Sequence, residues 1–212
     1  MGLVKHNNNS ISAVTSMASL STGAMTLIKE QTASSSASIS FVDGSSDVVL
    51  DSTYPIYKFK FHDIHPASNG VFFEFNLSTD SGSNYNVTKT STSFEAIQNE
   101  SGATTSLRYA TSNDLAQSTS NQRLTDYLPS NAGEDDLCAV GELYLFNPAS
   151  TTFVKHFMST VQSNGDGTSI YSWVSRNAGY GNTTSAVDGI KFQMSSGNID
   201  SGTIKLYGIK DS

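Results

Sequence analysis

The clearest pattern along this chain is an alternation of apolar and polar residues with a period of two. In the run PIYKFKFHDI, Tyr57, Phe59 and Phe61 fall on one side, and two lysines and a histidine fall on the other. Successive side chains of a β-strand point to opposite faces. The run therefore predicts a half-buried strand.

Similar runs recur through most of the chain, and the segments between them contain the Gly, Pro, Asn and Ser residues typical of turns. They are AMTLIKEQ, ASISFV, VFFEFNLS, ELYLFNP, FVKHFMSTV, TSIYSWVS, GIKFQMSS and GTIKLYGI. In the last of these, Ile204 and Leu206 are predicted to face the core, with Lys205 and Tyr207 facing outward. About ten such strands without helical patterns between them predict an all-β fold of antiparallel sheets. We expect a β-sandwich of jelly-roll type over residues 24–212.

Residues 1–23 do not share the strand pattern, because small and polar residues dominate them. We interpret this stretch as a short extended N-terminal arm that contacts a partner or a neighbouring subunit. An unstructured terminus is the alternative. The apolar residues expected to make the contact are Leu3, Val4, Ile11, Val14, Met17 and Leu20.

A second exception lies at residues 90–135, which are polar and contain only scattered apolar residues. We expect long loops here, with two or three short strands at about residues 106–110 and 122–128. Long loops on a rigid scaffold are where binding sites are often found.

Composition narrows the classes of function. The chain has 36 serines, 21 threonines and 16 asparagines, only 15% charged residues, and a net charge of −7. The negative charge disfavours nucleic-acid binding, because phosphates would be repelled. No run of 18 apolar residues is present, and the start lacks the apolar stretch of a secretory signal. We therefore expect no membrane span and synthesis in the cytoplasm.

The sequence offers little catalytic chemistry. Cys138 is the only cysteine, so an internal disulfide or a multi-cysteine zinc site is excluded. His62 and His65 flank Asp63 without a third histidine or cysteine nearby, which is a weak metal signal. No G-x-S-x-G or P-loop motif occurs, and the consecutive acids of residues 134–136 are typical of a solvated turn. We predict a non-enzymatic protein with no catalytic residue, no cofactor and no metal site.

Two polar turns have oxygen-rich side chains that suit calcium, at residues 78–83 and 164–167. Both are interpreted first as hairpin turns. A different candidate is a glycan-binding patch of Tyr171, Trp173 and Tyr180, because aromatic faces stack on sugars. Burial of Trp173 in the sandwich is the competing interpretation.

Four segments carry a resemblance to a known group of proteins: LVKHNNNSISAVTS, LIKEQTASSSASISF, FNPASTTFVKHF and AGYGNTTSAVDGIKFQMSSGNIDSGTIKLYGIK. They resemble small structural proteins of tailed bacteriophages, notably marine ones. The resemblance implies a location on the virion surface after synthesis in the host bacterial cytoplasm, with the major capsid protein or tail proteins as partners. It carries no catalytic residue.

Features of the sequence favour one position on the particle over another. A tail fibre normally has an elongated shaft with repeats or heptads, and this chain has neither. One compact domain with an arm better fits a capsid decoration or knob protein, attached through residues 1–23. A homo-oligomer is expected, with a trimer favoured by analogy to other viral sandwiches. The alternative is a lectin-like tail-fibre or tail-tip module that binds a host surface glycan.

Overall fold

The structure, a computed structural model, describes residues 24–129, 137–165 and 170–210. These residues form thirteen β-strands and no helix. The strands are β1 (Met25–Thr32), β2 (Ile39–Val42), β3 (Ile56–Pro66), β4 (Phe73–Ser78), β5 (Lys89–Asn99), β6 (Thr105–Tyr109), β7 (Leu115–Ser118), β8 (Gln122–Arg123), β9 (Ala139–Phe146), β10 (Lys155–Asn164), β11 (Tyr171–Gly181), β12 (Gly189–Met194) and β13 (Ile199–Ile209).

The strands form two antiparallel sheets that pack face to face. The nine-stranded sheet has the order β1-β13-β3-β9-β10-β11-β5-β6, with β7 also paired to β5. The four-stranded sheet has the order β2-β12-β4-β8. The predicted all-β antiparallel sandwich is confirmed, whereas its jelly-roll connectivity stays a prediction. The predicted arm, residues 1–23, lies outside the described residues.

The core between the sheets is aromatic and follows the alternation seen in the sequence. Tyr57, Phe59 and Phe61 of β3 are buried, and so are Ile204 and Leu206 of β13, as predicted. The centre of this core is the ring of Phe192 in β12. Its centroid lies 5.3 to 6.4 Å from five other phenylalanine rings.

Strand β4 is buried on both faces, which its alternating sequence does not suggest. Phe73 and Phe75 face the aromatic core, while Glu74 and Asn76 lie beneath the segment that contains β7 and β8. Asn121 Nδ2 donates a hydrogen bond to Glu74 Oε2 at 3.1 Å, and Asn76 Nδ2 donates to a backbone carbonyl of that segment. The polar side of β4 is thus buried but hydrogen-bonded, as buried polar groups usually are.

The expectation of long loops over residues 90–135 is wrong for its first part. An eleven-residue strand, β5, runs from Lys89 to Asn99 and pairs with β11 along its whole length. Its inward-facing residues include Ser91, Ser93 and Glu95, all of which are buried. Because the inward positions are polar, the strand lacks the apolar alternation on which the prediction depended. Of the short strands expected, β6 is present, and the second reduces to the two residues of β8.

Candidate binding surface

Beside the aromatic core, the large sheet covers a second interior region made of polar side chains. We call it the polar interior. Its residues come from the inward faces of β5, β10 and β11 and are all buried. They are Lys89, Ser91, Ser93, Glu95, Lys155, Ser159, Ser163, Ser175 and Asn177. Buried polar groups are costly unless they are paired, so their contacts decide what this region contributes.

Glu95 is the most highly connected of these residues. Its Oε2 accepts hydrogen bonds from Arg108 Nε and Nη2 at 3.1 and 3.0 Å, and its Oε1 accepts one from Asn113 Nδ2 at 2.7 Å. Arg108 Nη2 also lies 3.1 Å from Asp126 Oδ2. Burial, and then the charge of Asp126, raise the pKa of Glu95, while Arg108 opposes the rise. Ser175 Oγ also donates to Oε1, at 3.5 Å. Because the carboxylate is fully buried and held by four donor atoms, this cluster braces the segment that carries Asn113 and Asp126 against the sheet.

Lys89 is a second buried ionisable group. Its Nζ donates hydrogen bonds to Asn76 Oδ1 at 2.6 Å and to the carbonyl of Val87 at 2.8 Å. The side chain is fully buried, and the described residues show no ion pair to it. Burial lowers the pKa of its ammonium to about 7. Lys89 therefore makes the stability of the fold rise with pH between about pH 7 and 10.5.

The structure brings together two of the three residues of the predicted glycan patch. Tyr171 and Trp173 make an edge contact with ring centroids 6.2 Å apart. Trp173 is only 9% exposed and lies under the guanidinium of Arg108, 5.2 Å away. Tyr180 is on the opposite face of β11, beside His156. The spacing explains this separation, since residues seven apart in a strand point to opposite faces.

The described residues do not assemble a metal site from the weak candidates. Among the described residues, no group of three His, Cys, Asp or Glu side chains is placed to hold an ion. The turn at residues 78–83 is closed by Asp80, whose carboxylate accepts hydrogen bonds from Ser78 Oγ and Asn84 Nδ2. The acids at 134–136 and residues 166–167 of the second polar turn lie outside the described residues. Within the described part of the chain, no helix is long and apolar enough to cross a membrane.

The most extensive unexplained feature is the outer face, which we define as the face of the nine-stranded sheet that points away from the four-stranded sheet. It carries many large apolar and aromatic side chains that are exposed or only half-buried. Across the sheet these are Met25, Leu27, Ile209, Tyr207, Ile56, Tyr144, Phe146, Met158, Tyr180, Phe94 and Tyr109. Met158 is 54% exposed and Phe94 45%.

Two ion pairs of the described residues lie on the outer face. Lys58 Nζ lies 2.6 Å from Glu142 Oε2 and donates a hydrogen bond to the Tyr144 hydroxyl at 2.6 Å. Near the β1 edge, Lys205 Nζ lies 2.9 Å from Glu30 Oε2. The Lys205–Glu30 pair is partly exposed and adds little stability. Both pairs neutralise charge, whereas Lys60 and Arg176 of the same face form no ion pair among the described residues.

Two shallow grooves meet in the middle of the outer face and share Phe146, Met158 and Ala178. One has a volume of about 670 Å³ and extends to Tyr180, and the other, of about 420 Å³, extends to Phe94. We call them together the central groove. Most of its lining surface is apolar, with the side chains of Glu142 and Arg176 in the lining of the second groove, so it suits a mainly apolar occupant better than a strongly hydrated one.

The sequence prediction missed the outer face, although β9 carries a signal for it. In ELYLF, Leu143 and Leu145 face the core and Tyr144 and Phe146 face outward, so both sides of the strand are apolar. An antiparallel sheet with one face in water usually alternates apolar and polar residues. A strand that is apolar on both sides is therefore a sign that its second face is also covered.

Comparison with known proteins adds no relative. No protein-family model, curated protein or solved structure matches this chain.

Proposed function

We propose that this chain is a non-enzymatic structural protein on the surface of a tailed-bacteriophage particle. In this proposal it decorates the capsid, is attached through its N-terminal arm, and associates with copies of itself and with the major capsid protein. The identity of the particle rests on the resemblance of the segments quoted above. The fold adds a compact module with an extensive surface for contacts.

The observation that carries the proposal is the apolar outer face. Exposed apolar patches of this extent on a water-soluble module mark surfaces that bind other proteins. The rest of the surface is rich in hydroxyl and amide side chains, which interact well with water. An asymmetric module of this kind is suited to be attached by one side and to present the other side to solvent.

The experiment that tests the proposal is reconstitution on particles. Purified chain and a variant lacking residues 1–20 are mixed with particles stripped of this protein and then sedimented. We expect both to give the same Trp173 fluorescence spectrum, and only the full chain to sediment with the particles. Equal binding of the two would refute attachment through the arm. In a cryo-EM reconstruction of the particle, density for this chain at the tail rather than on the capsomers would refute capsid decoration.

One feature of the central groove favours a second candidate, a lectin-like module of a tail fibre or tail tip. Tyr180 lies at the groove's margin beside His156, with the hydroxyl groups of Thr90 and Thr92 in the same lining. Aromatic faces flanked by hydrogen-bonding groups are suited to carbohydrate. The ligand in this case would be a glycan of the host surface.

The glycan candidate is tested on Tyr180 rather than on Trp173, because Trp173 is buried and its removal would disturb folding. Binding to a glycan array and to host cells is measured for the wild type, Tyr180→Ala and Tyr207→Ala. Tyr207 lies on the same face outside the central groove and is the matched control. We expect only Tyr180→Ala to lose binding. An array without signal for the wild type would refute this candidate.

A further inference from the structure

The N-terminal arm joins the fold at the edge of the outer face. Strand β1 is an edge strand of the large sheet, and the carbonyl of Ala24, just before it, accepts a hydrogen bond from the amide of Lys210 at 3.1 Å. The side chain of Met25 is on the outer face, opposite Ile209. Residues 1–23 therefore continue from a point beside the outer face.

A row of apolar side chains connects that point with the central groove. Met25 pairs with Ile209, Ile209 with Ile56, and Ile56 with Phe146, each on the next strand along. Directly opposite residues of neighbouring strands have Cβ atoms about 5 Å apart. Phe146 is itself part of the central groove. The path from the arm to the groove is apolar over its whole length.

The composition of the arm matches this path. Ile11, Val14, Met17 and Leu20 are separated only by Ser, Ala and Thr residues. The arm contains one lysine, Lys5, and no acidic residue, in a chain of net charge −7. Apolar side chains with small neighbours fit a shallow apolar groove without burying an unpaired carboxylate.

The length of the arm is also sufficient. From β1 to β5, which carries the far side of the central groove, the large sheet has six inter-strand steps of about 4.8 Å, which is a distance of about 29 Å. An extended chain covers about 3.3 Å per residue, so about nine residues reach the far side of the central groove. Ile11 to Leu20 lie four to thirteen residues before Ala24. The apolar residues of the arm are thus at the right distance to occupy it.

We propose that residues 11–20 lie across the outer face of their own chain and fill the central groove. The inference rests on the proposed function only for the role of the arm in attachment. It adds to that function the surface that holds the arm. The arm and the outer face would then form one composite surface. Shielding of Met158 and Phe94 in the isolated protein follows from it.

Cysteine cross-linking of the full chain tests the proposal. In a Cys138→Ser background, Met158→Cys is combined in turn with Ile11→Cys, Val14→Cys, Met17→Cys and Leu20→Cys, and dilute protein is oxidised. We expect at least one of these pairs to close a disulfide within one chain, as seen by peptide mass spectrometry. The control replaces Met158→Cys with Lys191→Cys, which lies on the other sheet, and should give no such bond.

Methionine oxidation provides a second measurement that needs no disulfide. Peroxide oxidation of Met158 is compared between the wild type and a full-length variant in which the four apolar arm residues are serine. We expect Met158 to oxidise several-fold faster in the variant. Equal rates would overturn the proposal, and so would the absence of every intrachain cross-link.

The remaining outcomes separate the possible occupants. Disulfides between chains would show that a neighbouring copy fills the groove, and would overturn the same-chain assignment. Protection of Met158 only upon addition of a glycan would have the same effect. A protein whose arm is cross-linked in the groove is also tested for binding to particles. If it does not bind, and if reduction of the disulfide does not restore binding, the proposed attachment is refuted. The docking inference is not affected by that result.

Discussion

Lys89 gives the sharpest prediction about stability, because its burial has a calculable cost. Its pKa falls from 10.5 to about 7 in the folded protein. At about 1.4 kcal/mol per pKa unit, keeping the ammonium charged in the folded state costs about 5 kcal/mol below pH 6. The Lys89→Met variant removes this cost and retains a side chain of similar length.

The variant also has a cost of its own. The carbonyl of Val87 loses its Lys89 hydrogen bond, whereas Asn76 Oδ1 still accepts one from the amide of Leu77 at 2.9 Å. Leaving buried acceptors short of partners costs about 1–3 kcal/mol. We therefore expect Lys89→Met to be more stable than the wild type by about 2–4 kcal/mol at pH 6.

The pH dependence identifies the cause. The folded-state pKa lies below the unfolded one, so between pH 7 and 10.5 the unfolded state binds the extra proton and wild-type stability rises with pH. Subtracting the variant cancels the other titrating groups. The advantage of Lys89→Met should therefore shrink by about 3 kcal/mol between pH 6 and pH 9.

The assay is urea unfolding at pH 6 and pH 9, followed by the fluorescence of Trp173, the only tryptophan. Lys191→Met is the control for loss of one positive charge, since the Lys191 ammonium lies over the Tyr85 ring at the surface. An advantage of Lys89→Met that is the same at both pH values would refute the reasoning. A variant less stable than the wild type at pH 6 would also refute it, because the hydrogen bonds would then outweigh the burial of charge.

Three further predictions concern other parts of the interior. Phe192→Ala removes the ring at the centre of the aromatic core and should destabilise the protein by about 3–5 kcal/mol in urea unfolding, whereas Phe153→Ala, at a residue 70% exposed, should change little. Gly141→Ala would place a Cβ against the carbonyl oxygen of Thr160 and should cost about 1–3 kcal/mol, so an unchanged midpoint would contradict the close approach of β9 and β10. The pKa of Glu95 is raised, so Glu95 should stabilise the fold relative to Glu95→Gln most strongly below pH 4.5. The difference in unfolding free energy between the two proteins should decline as pH rises through the folded-state pKa. A flat or rising difference would argue against burial as the cause.

Much of the fold was predictable from the sequence because it depends on local alternation. The faces of β3 and β13 were assigned correctly from single residues such as Phe59 and Leu206. Their apolar side chains must leave water, and a period of two leaves only one face for them. Burial of Trp173 was likewise one of two interpretations that its sequence context allowed.

The misplaced and missed features share one physical cause, which is that burial in this protein does not always select apolar residues. Strand β5 buries Ser93 and Glu95, so its sequence pattern predicts a loop where the structure has a strand. Whether a polar residue is buried depends on the donors that reach it from distant segments, such as Arg108 and Asn113 for Glu95. Those encounters depend on the order of the strands, which local pattern does not contain.

The sequence by itself determined the class of fold, the faces of its apolar strands and the polar character of its surface, because each depends on neighbours in the chain. Only the tertiary structure decided that Lys89 is buried without an ion pair among the described residues, and that Phe94 and Phe146 line one groove. These are relations between different strands, and they arise from strand pairing within the large sheet and from the packing of the two sheets against each other.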